Sequence, residues 1–169
     1  AGLGTVGAGV IRLIEANAYA RSHGLAGMSV VSNNFALARM IEAPWKGCLS
    51  CSDATWRKWL TANQMPVLSW SSQARGFFTP RARPDDRSDA ELVRCWYSED
   101  NFKRQARAIE LAKQKGCEPI NIALSWVLHQ PFPTFPLIGP RTIAETRSSF
   151  DALRVTLTPK ECKYLNLEI

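Results

Sequence analysis

The stretch Pro66-Val-Leu-Ser-Trp-Ser-Ser-Gln-Ala-Arg-Gly-Phe-Phe-Thr-Pro80 constrains this chain more than any other. Pro66 to Trp70 reads as a short apolar strand leaving a core, and after Trp70 the texture changes at once. Ser71, Ser72 and Gln73 offer hydrogen-bond donors, Arg75 a permanent cation, and Gly76 a permissive backbone. A strand that opens at its C-terminal end into hydroxyls, an amide, a guanidinium and a glycine is suited to a phosphate. In open α/β sheets and in β/α barrels, ligands sit at that end of the strands. Trp70, at the last strand position, would give such a site an aromatic wall. The same residues also suit an ordinary strand-to-loop exit with a polar surface, and from them alone both readings stand.

Around this stretch, strands and helices alternate. Arg12 to Ser22 carries Leu13, Ala16 and Ala20 on one stripe, with Gly24 as a stop signal. Met28 to Ser32 reads as a strand ending in Ser32-Asn33-Asn34, and Phe35 to Ile41 as a short helical or irregular segment closed by Pro44. Ser52 can cap a helix through Leu60 that turns Trp56, Trp59 and Leu60 inward. Beyond the central strand, Arg81 to Asp89 is a charged, proline-bearing surface loop, either a flap over a ligand or a solvated connection. Asn101 to Lys115 is an amphipathic helix with Phe102, Ala106, Ile109 and Ala112 inward and Gly116 past its end. Pro119 to His129 is a second helix, and His129, like His23, suits a helix C-terminus better than catalysis. Thr134 to Ile138 is a strand, Thr142-Ile-Ala-Glu145 a capping box, and Thr158-Pro-Lys-Glu161 another, opening a helix that ends near Asn166. Arg141 beside a helix N-terminus is a ready anion site. Strand, helix, strand in this order marks a parallel α/β architecture.

Composition narrows the function classes. A length of 169 residues fits one domain, and 46% hydrophobic residues argue against disorder. The formal charge of +6 is scattered and no nucleic-acid motif accompanies it, so nucleic acid is not an expected partner. No run approaches the roughly eighteen apolar residues of a membrane span, and no secretory pattern opens the chain. Five cysteines, an odd number, point to reduced thiols and a cytoplasmic protein. Cys48 and Cys51 form a Cys-x-x-Cys, which without a second pair or a nearby histidine cannot close a zinc site, so no metal is expected. Gly2-Leu-Gly4-Thr-Val-Gly7 matches a dinucleotide fingerprint, but no strand feeds it. Its acidic partner is also missing, with Ser32, Asn33 and Asn34 where it would stand.

Two segments resemble the aldo/keto reductases, in particular the C-terminal half of that family: Leu68 to Phe78, and Ala123-Leu-Ser-Trp-Val-Leu through Pro136-Leu-Ile-Gly-Pro-Arg-Thr142 to Leu157-Thr-Pro159. Glu15 to Ala20 and Val31 to Ala38 extend the likeness, which covers about residues 12–168. It implies an α/β fold, a partial (β/α)8 barrel comprising roughly the last three β/α units with parallel strands and C-terminal helices. Residues 1–11 would be an atypical glycine-rich segment and 12–169 the partial barrel domain. It further implies NADP(H) at the C-terminal face, with Trp70 stacking on the nicotinamide and Ser71, Gln73 and Arg75 in the loop that holds the pyrophosphate. Arg141 would meet the adenosine 2′-phosphate, Glu145 and Ser149 would lie near the adenine, and Ser32 would reach the carboxamide.

The departures shape the functional expectation. In the family a tyrosine, aided by lysine, aspartate and histidine, protonates the carbonyl that takes the hydride, and those four belong to the first half of the barrel. Tyr19, Tyr97 and Tyr164 do not stand in that motif, and the family's Ser-Asn contact would fall on Val6 and Gly7. A full barrel needs about 250 residues. The expectation is a truncated reductase-like chain that keeps an NADP(H)-binding half-site, has no catalytic residue of its own, and forms an oligomer, most simply a dimer. The alternatives are an interaction module that has lost the cofactor, and a reductase completed by another chain.

Overall fold

The computed structural model describes residues 5–169, and in them the Pro66–Pro80 stretch does stand at the centre of a small parallel sheet. In chain order the elements are α1 (Thr5–Ser22), α2 (Ala54–Asn63), β1 (Val67–Ser69), α3 (Ala90–Trp96), α4 (Glu99–Lys115), α5 (Pro119–Leu128), β2 (Thr134–Pro136), α6 (Ile143–Asp151) and α7 (Pro159–Leu165), with 3-10 turns at Ala74–Gly76 and Ala152–Arg154. β1 pairs with β2 in parallel, Val67 opposite Thr134 and Ser69 opposite Pro136. Parallel neighbours need a long crossover, and here it runs through α3, α4 and α5. Gly2 and Gly4 lie outside the described residues, while Gly7 and Gly9 fall within α1.

The third expected strand, Met28–Ser32, survives only as single bridges. Val31 pairs with Val67 and Asn34 with Trp70, through Val31 N–H to Pro66 O (2.9 Å), Leu68 N–H to Val31 O (2.8 Å) and Trp70 N–H to Asn33 O (3.3 Å). Met28 and Val30 are exposed and Val31 is the one buried residue of the segment, so little apolar burial holds it as a strand. The described residues therefore hold two regular strands, not three.

Local signals set most helix ends. Thr158 Oγ1 accepts from Glu161 N–H (3.2 Å) while Glu161 accepts from Thr158 N–H (2.7 Å), closing the expected box with Pro159 at the first helical position. At α6 the box is half closed: Thr142 Oγ1 accepts from Glu145 N–H, but the Glu145 carboxylate reaches past it to Arg141 N–H. Gly116 ends α4 in the left-handed region, φ 66°, with open space where a side chain would be. At α2 the expected cap is corrected. Asp53, not Ser52, accepts from Trp56 N–H (3.0 Å), because Ser52 is buried and its hydroxyl accepts from Ala36 N–H instead. The helix α3 is an addition to the sequence reading, begun by Asp89 accepting from Leu92 N–H (2.9 Å) and burying Leu92, Cys95 and Trp96.

The inward face of α4 is also corrected. Ala106 and Ile109 are exposed, and Asn101, Arg104, Ala108, Leu111 and Ala112 are the buried residues. Asn101 sets this phase by bridging the chain: it accepts from Arg39 N–H (2.8 Å) and donates to Arg39 O (2.8 Å) and Trp96 O (2.7 Å). Phe102 stays partly covered against Phe77 and Tyr97. The core runs from Trp56 and Leu60 on α2, through Phe35–Ala38, to Trp96 and Trp126, with α5 almost wholly buried against α4, α6 and β2. Each large apolar side chain so covered contributes about 1.5–3 kcal/mol. Phe35 to Ala38 lie in this core without forming helix or strand.

Candidate functional site

The C-terminal ends of β1 and β2 open toward the same rim. Ser69 O accepts from Leu137 N–H (2.9 Å), and the buried Ser72 donates to Leu137 O (3.1 Å), so the two exits are bolted together. Ser72 is thereby committed to the backbone. Beyond it the β1 exit takes an unusual course: Ser71 (φ 47°), Ala74 (φ 48°), Arg75 (φ 54°) and Gly76 (φ 87°) all occupy the left-handed region. Non-glycine residues held there cost about 1–3 kcal/mol each and cluster at ligand sites and switches. The surroundings hold them in place, with Phe77 and Phe78 buried and Gln105 of α4 donating to Phe77 O (2.7 Å) and Ala82 O (3.0 Å).

The expected site residues do not all share one place. Gln73 and Ser149 come together: the Gln73 amide donates to Ser149 Oγ (3.4 Å), joining the β1 exit to α6, and Ser149 in turn donates to Glu145 O (3.0 Å). Arg141 stands at the start of α6, exposed and without an ion pair among the described residues, its backbone N–H held by Glu145. Ser71 and Trp70 lie half-buried on the β1 side of the same rim. Arg75 points the other way, to Glu91 of α3 at 2.7 Å, in a largely exposed pair. Ser32 is exposed on the neighbouring segment and lines a shallow groove with Arg12, Leu13, Val30 and Trp56.

Three partners were not legible in the sequence. Glu91 sits in a helix too short to leave a periodic signal, Gln105 reads as one polar residue among many on α4, and Trp45 lies in an irregular segment. Trp45 stacks on Trp70, ring centroids 5.2 Å apart at 28°.

The remaining reactive groups have structural roles. Tyr164 donates to Glu110 (2.6 Å), a bond that with burial holds its hydroxyl proton more tightly than usual. Tyr97 packs among Phe77 and Phe102, and Tyr19 stacks on His23. His129 closes α5, its ring against Ser125 O. Cys51 is buried with its thiol on Asn34 O, and burial pushes that thiol up, away from thiolate chemistry. Among the described residues no helix is long and apolar enough to cross a membrane, and no group of three or more His, Cys, Asp or Glu could hold a metal ion.

Two parallel strands whose C-terminal ends meet at one rim, joined by a crossover of helices, define an α/β protein. A model of the aldo/keto reductase family matches residues 9–167, and the chain belongs to that family. Its relatives are oxidoreductases. It is 30% identical over 100 residues to an uncharacterized oxidoreductase, YrpG, of Bacillus subtilis (59% of this chain, 31% of the relative). It is 31% identical over 106 residues to versiconal hemiacetal acetate reductase of Aspergillus parasiticus (59% of this chain, 31% of the relative). A solved structure of a thermostable aldo-keto reductase in complex with the inhibitor epalrestat is similar at a TM-score of 0.49 and 18% identity, over 80% of this chain and 38% of that one. The chain thus spans about a third of the length of the curated relatives it matches.

Proposed function

We propose that this chain is the NADP(H)-binding half-site of an aldo/keto reductase, formed by the last three β/α units of a (β/α)8 barrel, and that it does not reduce carbonyl compounds by itself. The observation that supports the reading is the Gln73–Ser149 contact, which joins the β1 exit to α6, the two segments that the family resemblance implies for the cofactor. The donor set fits a dinucleotide phosphate. Arg141 offers an exposed guanidinium beside the N-terminus of α6, and Ser71 and Gln73 offer neutral donors. Arg75 is engaged by Glu91, but an exposed ion pair is worth only about 0–1 kcal/mol, so a pyrophosphate can take the guanidinium over. Trp70 gives the nicotinamide a face, Ser32 reaches toward its carboxamide, and Glu145 and Ser149 border the adenine. The cofactor, when bound, would supply the hydride; the chain's own residues bind and orient it.

On this reading none of the described tyrosines serves as the proton donor. Each of the three is packed or hydrogen-bonded elsewhere. The reading includes self-association as a dimer in the cytoplasm. Phe135, Leu137 and Ile138 in and just after β2, and Ile143, Phe150 and Leu153 on α6 and its following turn, are exposed apolar groups. Unpaired edges and apolar faces of this kind recruit further strands.

Calorimetric titration with NADPH and NADH tests the half-site, and a carbonyl-reduction assay with NADPH runs beside it. Saturable NADPH binding without turnover is the expected result. Absence of binding would leave the chain as an interaction module, and turnover that follows the protein through purification would overturn the non-catalytic assignment.

A further inference from the structure

Four of the tryptophans around this sheet have evident duties or cover: Trp56, Trp96 and Trp126 are buried in the core, and Trp59 packs edge-on against Trp56. Trp45 has none of these. It is 58% exposed, yet its ring lies stacked on Trp70 with centroids 5.2 Å apart. We infer that Trp45 is a gate on the stacking face of Trp70, and that a planar ring entering the site displaces it. The inference rests on the cofactor reading above for the identity of that ring, the nicotinamide.

The segment that carries Trp45 is fixed at both ends and free between them. On one side Arg94 of α3 donates to Glu42 (2.8 Å), Ala43 O (2.8 Å) and Pro44 O (3.2 Å). On the other, Asn34 N–H donates to Leu49 O (3.0 Å) and Ser50 Oγ to Asn34 Oδ1 (3.0 Å). Between these anchors a single turn, Cys48 N–H to Trp45 O (3.3 Å), passes through Gly47 at φ 89° with nothing around it. The same Asn34 bridges to Trp70 and donates to its carbonyl, so the turn is suspended directly over the end of β1.

Stacked rings sit about 3.5–4 Å apart plane to plane, so a third ring between two others needs their planes to separate to about 7 Å. At 5.2 Å the Trp45–Trp70 pair leaves no such space. Entry of a nicotinamide on this face therefore exchanges one stack for another. Trp45 acts as a competitor, and its removal strengthens ring binding instead of weakening it.

Two measurements test this. The first uses 1-methylnicotinamide, a free ring with no phosphate, as a fluorescence quencher. The quenching due to Trp70 is taken as the difference between Trp45→Ala and the Trp45→Ala/Trp70→Phe double variant, and compared with the same difference with Trp45 in place. The gate predicts at least a twofold rise in Trp70 accessibility when Trp45 is gone, and no rise would overturn it. The second is calorimetric NADPH titration of the wild type and Trp45→Ala, for which the stacking energy of an aromatic pair predicts about two- to tenfold tighter binding by the variant. Unchanged or weaker binding would overturn the gate, by making Trp45 a bystander or a clamp. If neither protein binds NADPH while Trp70 accessibility rises, the gate stands and the cofactor reading falls. Thermal melts show that both variants are folded, as expected for an exposed side chain.

Discussion

Phe35 lies stacked on Trp126, with ring centroids 5.3 Å apart and planes at 18°, although Phe35 belongs to no helix or strand. Phe132 meets the Phe35 ring edge-on at 5.6 Å, and Arg39 lies over the Trp126 ring with its guanidinium bonded to Asn166 and to the carbonyls of Ala36 and Leu37. This irregular segment thus ties the sheet to α5 and to the C-terminal residues. Phe35→Ala should lower stability by about 3–5 kcal/mol, the range for a large buried aromatic. Urea denaturation gives the number, and a loss below about 1 kcal/mol would mean the segment is not part of the core.

Arg141 is expected to discriminate between cofactors. Arg141→Ala should weaken NADP(H) binding by about 1.5–3 kcal/mol, the range for a hydrogen bond to a charged group. NAD(H) binding should hardly change. Calorimetry on both cofactors decides, and equal losses would show that Arg141 does not meet the 2′-phosphate.

Asp89 links a helix start to acid stability. Its carboxylate is held below the usual aspartate range by Leu92 N–H first, an effect that burial opposes and that Arg81, at 2.7 Å, reinforces. A carboxyl group whose folded pKa is depressed contributes stability above its unfolded pKa, near 3.9, and loses it as pH falls through the folded value. Asp89→Asn keeps an acceptor for the cap but removes the charge. The melting-temperature gap between wild type and this variant should be widest at neutral pH and close below about pH 4. Asp89→Ala, which removes the cap as well, should cost about 0.5–2 kcal/mol at neutral pH. A gap that does not narrow in acid would assign the effect to geometry alone.

Self-association should follow the exposed apolar groups. Light scattering coupled to size exclusion, at micromolar concentration with reductant, should return a dimer mass, and Phe150→Lys should shift it toward the monomer, since Phe150 is exposed on α6 and outside the buried core. A single monomeric mass with a cooperative melt would sink the dimer.

What the sequence determined by itself was local. Thr142, Thr158 and Gly116 act within one helical turn of themselves, so their caps and stops could be read directly. The strand at Val67–Ser69, with its polar exit, was legible because an apolar run and a cluster of donors are adjacent in the chain. The family was legible for the same reason, in contiguous motifs. Where two local candidates competed, as Ser52 and Asp53 did at α2, the choice fell to a distant group, the Ala36 N–H that the Ser52 hydroxyl serves.

The tertiary structure decided everything that joins residues far apart. The face of α4 turned because Asn101 is bound to Arg39, 62 residues away. Gln73 met Ser149 across 76 residues, Arg75 found Glu91 on a helix of only 7 residues, and Trp45 came to rest on Trp70 through an irregular turn. No periodicity or motif encodes such pairs, since each forms only after packing has fixed the positions of both segments. The third strand shows the same dependence from the other side: Met28–Ser32 has strand composition, but a strand needs partners to satisfy its backbone groups, and of this segment Val31 alone bridges to β1 among the described residues.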